Sequence, residues 1–183
     1  MATRRSAQLA AAMHERRLMR VSQKFDDFPV RGYILDVGPR FFILAVVSDR
    51  IWFDGFECFR IGDVKDVRPD PNATFVQAAL KKRADRRPRK PRVSVTSIEA
   101  LLASAGRGFP LVTIHRDRAD PDACRIGRVL DVNRGRVSLL EINPDATWDD
   151  TPTEHRLSEI TRVSFGADYE NALFLVGGEP ASG

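Results

Sequence analysis

The chain has 183 residues, 43% of them hydrophobic and 30% charged, a composition that supports a folded core and excludes the disordered and fibrous classes. No apolar run approaches the roughly 18 to 20 residues of a membrane-spanning helix, and the N-terminus has no apolar signal region, so the cytoplasm is the expected location and no membrane partner is expected. The net charge of +4 is segregated: residues 1–24 carry six Lys/Arg against one Glu and residues 81–92 eight against one Asp, while 25–80 and 93–183 are acidic, so any attraction to a polyanion must arise in the leader and the 81–92 segment.

Residues 4–16 are helix formers without Pro or Gly and predict a first helix. An extended segment then runs from Leu18 to Phe25 and is broken by Asp26-Asp27 and Pro29. Residues 30–37 and 41–47, rich in Val, Ile, Leu, Tyr and Phe, flank Gly38-Pro39-Arg40 and predict a hairpin. Short strands follow at 51–53, 57–61 and 64–67, with Asp54-Gly55 as a turn between the first two. Asp70-Pro71-Asn72 predicts a helix start, and the helix ends in the Pro-broken basic segment 81–92.

A second half opens on Thr96-Ser97-Ile98-Glu99, whose hydroxyl-to-Glu spacing predicts a capping box, and its helix is closed by Gly106 and Gly108. A strand at 111–115 precedes a polar turn at 117–122. A second hairpin, 124–132 with 137–142, turns at Asn133-Arg134-Gly135-Arg136. A polar loop over 143–153 holds Trp148, segments 155–157 and 160–163 close the unit, and a short helix around Tyr169 precedes a loose tail over 177–183.

The second half repeats the first. Gly32-Tyr33-Ile34-Leu35-Asp36-Val37 lies over Gly127-Arg128-Val129-Leu130-Asp131-Val132 at an offset of 95, and Arg60-Ile61-Gly62-Asp63-Val64 over Arg156-Leu157-Ser158-Glu159-Ile160 at 96, as does Trp52 over Trp148. A period of this kind describes one structural unit written twice. The fold expected is mainly β with flanking helices: two five-stranded barrels, one in residues 1–80 with its trailing helix and one in 93–176, joined by the basic linker 81–92 and followed by the tail 177–183. Ile34, Leu44, Val64, Val129, Leu139 and Ile160 are the expected interior side chains.

The Gly-x-apolar-apolar-Asp start at Gly32 to Asp36 and at Gly127 to Asp131 is similar to the first signature of the Sm-like family. Arg60-Ile61-Gly62-Asp63 and Arg156-Leu157-Ser158-Glu159 occupy the place of the second. The resemblance implies an N-terminal helix on a strongly bent five-stranded barrel, over about residues 17–67 and 96–163. The pair that holds RNA bases in that family is replaced by Pro39-Arg40-Phe41-Phe42 and Arg134-Gly135-Arg136-Val137, so its RNA pocket is not implied. The second half also resembles the tandem domains of bacterial repeat proteins of unknown function.

Catalysis has no visible carrier. His14, His115 and His155 lie in unlike elements and complete no ligand spacing with a cysteine, so no metal or other cofactor is expected. Asp149, Asp150 and Glu154 sit on a polar loop, where a carboxylate pair lacks the rigid recess that acid–base work needs. Gly106-Arg107-Gly108 follows a helix instead of opening one, the reverse of a phosphate cradle. Cys58 and Cys124 occupy unrelated repeat positions and read as free thiols. Trp52 and Trp148 read as barrel-end packing. Asp36 and Asp131 could each face a ligand pocket or accept backbone N–H groups at the hairpin, and the second reading is preferred.

The functional candidates are therefore Lys81, Lys82, Arg83, Arg86, Arg87, Arg89, Lys90 and Arg92, as a nucleic-acid-binding segment. The sequence is read as a non-enzymatic binding or adaptor protein, monomeric or a small oligomer, whose leader and linker hold RNA or DNA weakly. The alternative is a protein–protein adaptor that uses the barrel surfaces, with the linker a solvated connector.

Overall fold

The computed structural model describes residues 4–25 and 28–181; the expected break at Asp26-Asp27 and the last two residues of the tail lie outside them. Helix α1 (Arg4–His14) is followed by strands β1 (Leu18–Gln23), β2 (Val30–Val37), β3 (Phe41–Val47), β4 (Phe53–Arg60) and β5 (Val64–Pro69), then helix α2 (Ala73–Lys82). The second half writes the same order: α3 (Ile98–Gly108), β6 (Val112–Arg116), β7 (Asp120–Asn133), β8 (Arg136–Glu141), β9 (Thr153–Arg156), β10 (Arg162–Phe165) and α4 (Asp168–Gly177). Matching 3-10 turns, Ile61–Asp63 and Leu157–Glu159, join the fourth and fifth strands of each half.

The repeat holds at the level of register. Gly32 pairs with Val46 as Gly127 pairs with Glu141, Phe41 with Arg60 as Arg136 with Arg156, and Val21 with Val67 as Ile114 with Val163. The pairing slips in both halves beside the shared aspartate, between Ile34 and Asp36 and between Val129 and Asp131. There Asp36 Oδ1 accepts the Val37 N–H at 3.0 Å and Asp131 Oδ1 the Val132 N–H at 2.9 Å. Both aspartates thus serve the backbone, as preferred from the sequence, at an irregularity inside the strand.

The halves are not two closed barrels. All ten strands form one open antiparallel sheet in the order β5-β1-β2-β3-β4-β10-β6-β7-β8-β9. Closing a half on itself would require β4 to bond its own β5. The outer edge of β4 is instead taken by β10 of the other repeat, with Phe59 opposite Arg162, Cys58 opposite Val163 and Phe56 opposite Phe165. Arg60 N–H continues this seam to Thr161 O at 3.3 Å, and the Arg60 guanidinium reaches Ile160 O at 2.8 Å.

Packing explains why the seam forms. Strand β3 is apolar throughout and central, so its side chains are buried on both faces. Phe42 and Leu44 join Leu9, Val21, Ile34, Phe59 and Val64 in a first core, where Phe42 and Phe59 stack at 5.4 Å. Phe41 and Ile43 face the other way and enter a second core with Ile114, Leu139, Ile160 and Phe165. The second repeat is thus built partly on the first. Phe56, Phe109 and Phe165 cluster there with centroids 4.6 to 6.1 Å apart, and the fully buried Phe165 alone contributes about 1.5–3 kcal/mol. Of the expected interior residues, Ile34, Leu44, Val64, Leu139 and Ile160 are buried, and Val129 is partly buried against the second core.

Several local expectations need correction. Asp54-Gly55 is no turn: it lies inside β4, where Gly55 takes φ +68° and a Cβ would also stand 2.5 Å from Ala167 N, and Asp54 Oδ1 accepts the Asp168 N–H at the start of α4. The cap of α3 is Ser97, one residue later than the predicted box, with its hydroxyl accepting from Ala100 N–H at 3.1 Å, while Thr96 pairs with Ser94. The segment expected as a polar turn is already strand by Asp120, which pairs with Arg116. The tail is docked at its start, since Trp148 Nε1 donates to Gly178 O at 3.3 Å and Arg128 meets Glu179 at 2.5 Å.

Candidate functional site

The basic segment does not hang free between the halves. It crosses the first repeat and enters the second through Val93 and Val95, both buried in the second core. Three of its cations are spent on docking. Arg83 donates to Arg50 O and Ile51 O at 2.7 and 2.9 Å, Arg87 lies 5.3 Å from the Tyr33 ring centroid, and Lys90 Nζ meets Asp36 at 2.5 Å. Burial, and then Arg16 nearby, push the Arg87 pKa down. The segment is therefore a strap that docks on the first repeat through cation–π, ionic and backbone contacts. Lys81, Lys82, Arg86, Arg89 and Arg92 remain exposed along it.

The strap lines three of four neighbouring clefts. One between Arg16, Tyr33, Lys81 and Arg87 shares Arg16 and Arg87 with one that also holds Arg89 and Lys90. Lys90 also lines a cleft of about 850 Å³ with Arg92 and Arg107, and Pro39 is common to that cleft and one of about 800 Å³. The last holds Arg4 and Arg5 from α1, Arg40 from the β2–β3 turn and Arg60 beside the 3-10 turn. Across these four clefts eleven Arg/Lys face only Asp36, Asp66 and Asp85. Burial lowers the Arg60 pKa, with Asp63 opposing and Arg118 and Arg40 adding to the fall; the guanidinium stays charged at any physiological pH.

Sequence reasoning located the strap and the basic leader, which supplies Arg4, Arg5 and Arg16, and missed Arg40, Arg60 and Arg107. These three belong to stretches of acidic balance, and only folding brings them to the clefts. The one available signal was that Arg40 and Arg60 occupy the two positions where the first repeat turns back on itself.

A buried polar cluster marks the seam. Arg162 Nη2 lies 3.2 Å from His115 Nδ1, Ser164 Oγ 3.4 Å from His115 Nε2, and Thr161 Oγ1 donates to Asp117 Oδ2 at 2.6 Å. A guanidinium against Nδ1 fixes the neutral ring with its proton on Nε2. Burial first, and Arg162 second, lower the His115 pKa to about 3. A base whose folded pKa is depressed stabilises the fold fully above its unfolded value of about 6.5 and progressively less as pH falls toward 3. Between pH 6 and 4 this group alone is expected to remove roughly 2–3 kcal/mol. Denaturant melts across that range, compared with His115→Gln, should show the loss in the parent and a flatter profile in the variant; parallel profiles would refute it.

Remaining sequence candidates find structural roles. His155 Nε2 meets Glu141 at 2.9 Å and Trp148 bridges Ile142. Cys58 is buried and Cys124 exposed, both as free thiols, with burial pushing the Cys58 pKa up. Among the described residues no group of His, Cys, Asp and Glu has the arrangement of a metal site, and no helix is long and apolar enough to cross a membrane. Comparison with family models, curated proteins and solved structures returned no match.

Proposed function

We propose that the chain is a non-enzymatic nucleic-acid-binding protein built from two fused Sm-like units, which holds an RNA or DNA phosphate backbone along the strap and the clefts beside it. The observation that carries this reading is the set of four clefts, linked by shared lining residues, with eleven cations against three carboxylates. Of the strap's exposed cations, Lys81, Arg89 and Arg92 line these clefts, and the acidic remainder of each repeat confines a polyanion to that track. Contacts of this kind position a backbone without reading bases, so binding is sequence-tolerant. The matched strand order, register and register slips of the halves support the Sm-like reading, with the seam in place of closure.

Anisotropy of a labelled single-stranded RNA, titrated at several salt concentrations, tests the proposal. If the five exposed strap cations Lys81, Lys82, Arg86, Arg89 and Arg92 each neutralise a phosphate, they contribute about −3.5 to −4.5 to the slope of log affinity on log salt. Replacing all five with Ser should remove that much slope and leave the melt unchanged, because none is buried. Arg87→Ser should instead lower stability through its lost stacking on Tyr33. Absence of salt-sensitive binding in the parent, or an unchanged slope in the quintuple variant, would return the chain to the adaptor reading, for which the exposed Leu175 and Val176 of α4 offer a surface.

A further inference from the structure

The internal seam is a head-to-tail contact: the fourth strand of one repeat bonds the fifth strand of the other. Such a contact does not exhaust itself, since the same operation applied again finds the same two kinds of edge at the ends of the chain. Those edges are β9 and β5, the outermost strands of the sheet. A second copy could add its β9 to this β5 by the geometry the molecule already uses within itself.

That edge is occupied. At the seam Thr161 O accepts from Arg60 N–H, and by antiparallel alternation the next pair in hydrogen-bonding position is Val163 with Cys58. The repeat offset of 96 carries Thr161 and Val163 onto Lys65 and Val67 of β5. The carbonyls of those two residues are the ones that α1 holds, Lys65 O by Arg5 Nη2 at 3.1 Å and Val67 O by Gln8 Nε2 at 2.6 Å. In the other repeat, where β10 must stay open for the seam, the offset of 93 that matches α1 to α3 puts Ile98 and Leu101 at these positions, and both are buried in the shared core.

The partner edge is blunted as well. Phe56 and Phe165, opposite each other at the seam, correspond to Pro152 and Pro69, which have no N–H to exchange. Cys58 and Phe59 correspond to Glu154 and His155, so a charged, four-residue β9 stands where β4 offers apolar packing.

We propose that Arg5 and Gln8 are a stop built into the first helix: they fill the two acceptors through which a second copy would dock, and with Pro69 and Pro152 they end assembly at two repeats. Sedimentation of the full chain over a wide concentration range should give a monomer. The variant Arg5→Ala, Gln8→Ala, Pro69→Val, Pro152→Val should gain concentration-dependent mass to a dimer or beyond, and adding Glu154→Pro, which takes the N–H from the β9 edge, should reverse it. Should the quadruple variant lose its cooperative melt, the Arg5→Ala, Gln8→Ala pair carries the same expectation at smaller amplitude. Self-association of the parent, persistence of the monomer in a folded opened variant, or association insensitive to Glu154→Pro would each overturn the proposal. Omitting nucleic acid from these runs keeps the result separate from the binding reading.

Discussion

Replacing Ile160 with aspartate is expected to cost roughly 3 kcal/mol or more, a large share of the 5–15 kcal/mol that holds a typical domain together. Ile160 follows the second 3-10 turn, is fully buried, and packs in the core that both repeats line. Its backbone is fixed from both sides, with its N–H on Leu157 O and its carbonyl taking the Arg60 guanidinium, so the side chain cannot swing out to water. A carboxylate there must be desolvated or protonated, and either route is costly. Ile160→Val, which trims one methylene, should cost only about 0.5–1.5 kcal/mol. Chemical denaturation of the pair checks this; an aspartate variant melting like the parent would place Ile160 outside the core.

The second large effect is expected at the glycines that begin the repeated motif. A Cβ at Gly32 would stand 2.3 Å from Ala45 O, and one at Gly127 would stand 2.2 Å from Leu140 O. Both obstacles are backbone of the neighbouring strand and cannot rotate aside, so the sheet itself must open. Gly32→Ala and Gly127→Ala should each lose at least about 1–3 kcal/mol, the usual cost of overpacking. Gly62→Ala, where a Cβ meets nothing within 4 Å, should be close to neutral. Thermal melts of the three variants side by side would refute the argument if Gly62→Ala proved as damaging as the others.

Those glycines show why so much of the fold was legible. The recurrence of Gly32 and Gly127 reflects one steric demand met twice, and β2 and β3 could be bounded correctly because Gly38-Pro39-Arg40 separates two stretches rich in Val, Ile, Leu, Tyr and Phe. The architecture was less legible. The bonds that replace closure join Phe56 through Arg60 to Thr161 through Phe165, about a hundred positions away, and no local pattern distinguishes a strand that closes its own barrel from one that bonds a neighbour. Gly55 was misread for the same reason, since the backbone that leaves no room for a side chain there is Ala167 of the other repeat. At the candidate site the density of charge pointed to residues 81–92, but which cations stay available depended on Tyr33 and Asp36, which only the tertiary fold places beneath Arg87 and Lys90.

The core shared across the seam also sets a hazard during synthesis. The first repeat can assemble α1 and its five strands as soon as they emerge, yet Phe41, Ile43 and Cys58 then face water until β10 and α3 arrive. At about 5–20 residues per second, the roughly one hundred residues still to be made leave that face bare for about 5–20 s. During that interval the nascent chain presents an unpaired β4 edge with an apolar face behind it, the combination that recruits other chains. A ribosome stalled after α2 should therefore hold a chain that binds hydrophobic-surface chaperones, and release from them should coincide with the synthesis of Phe165.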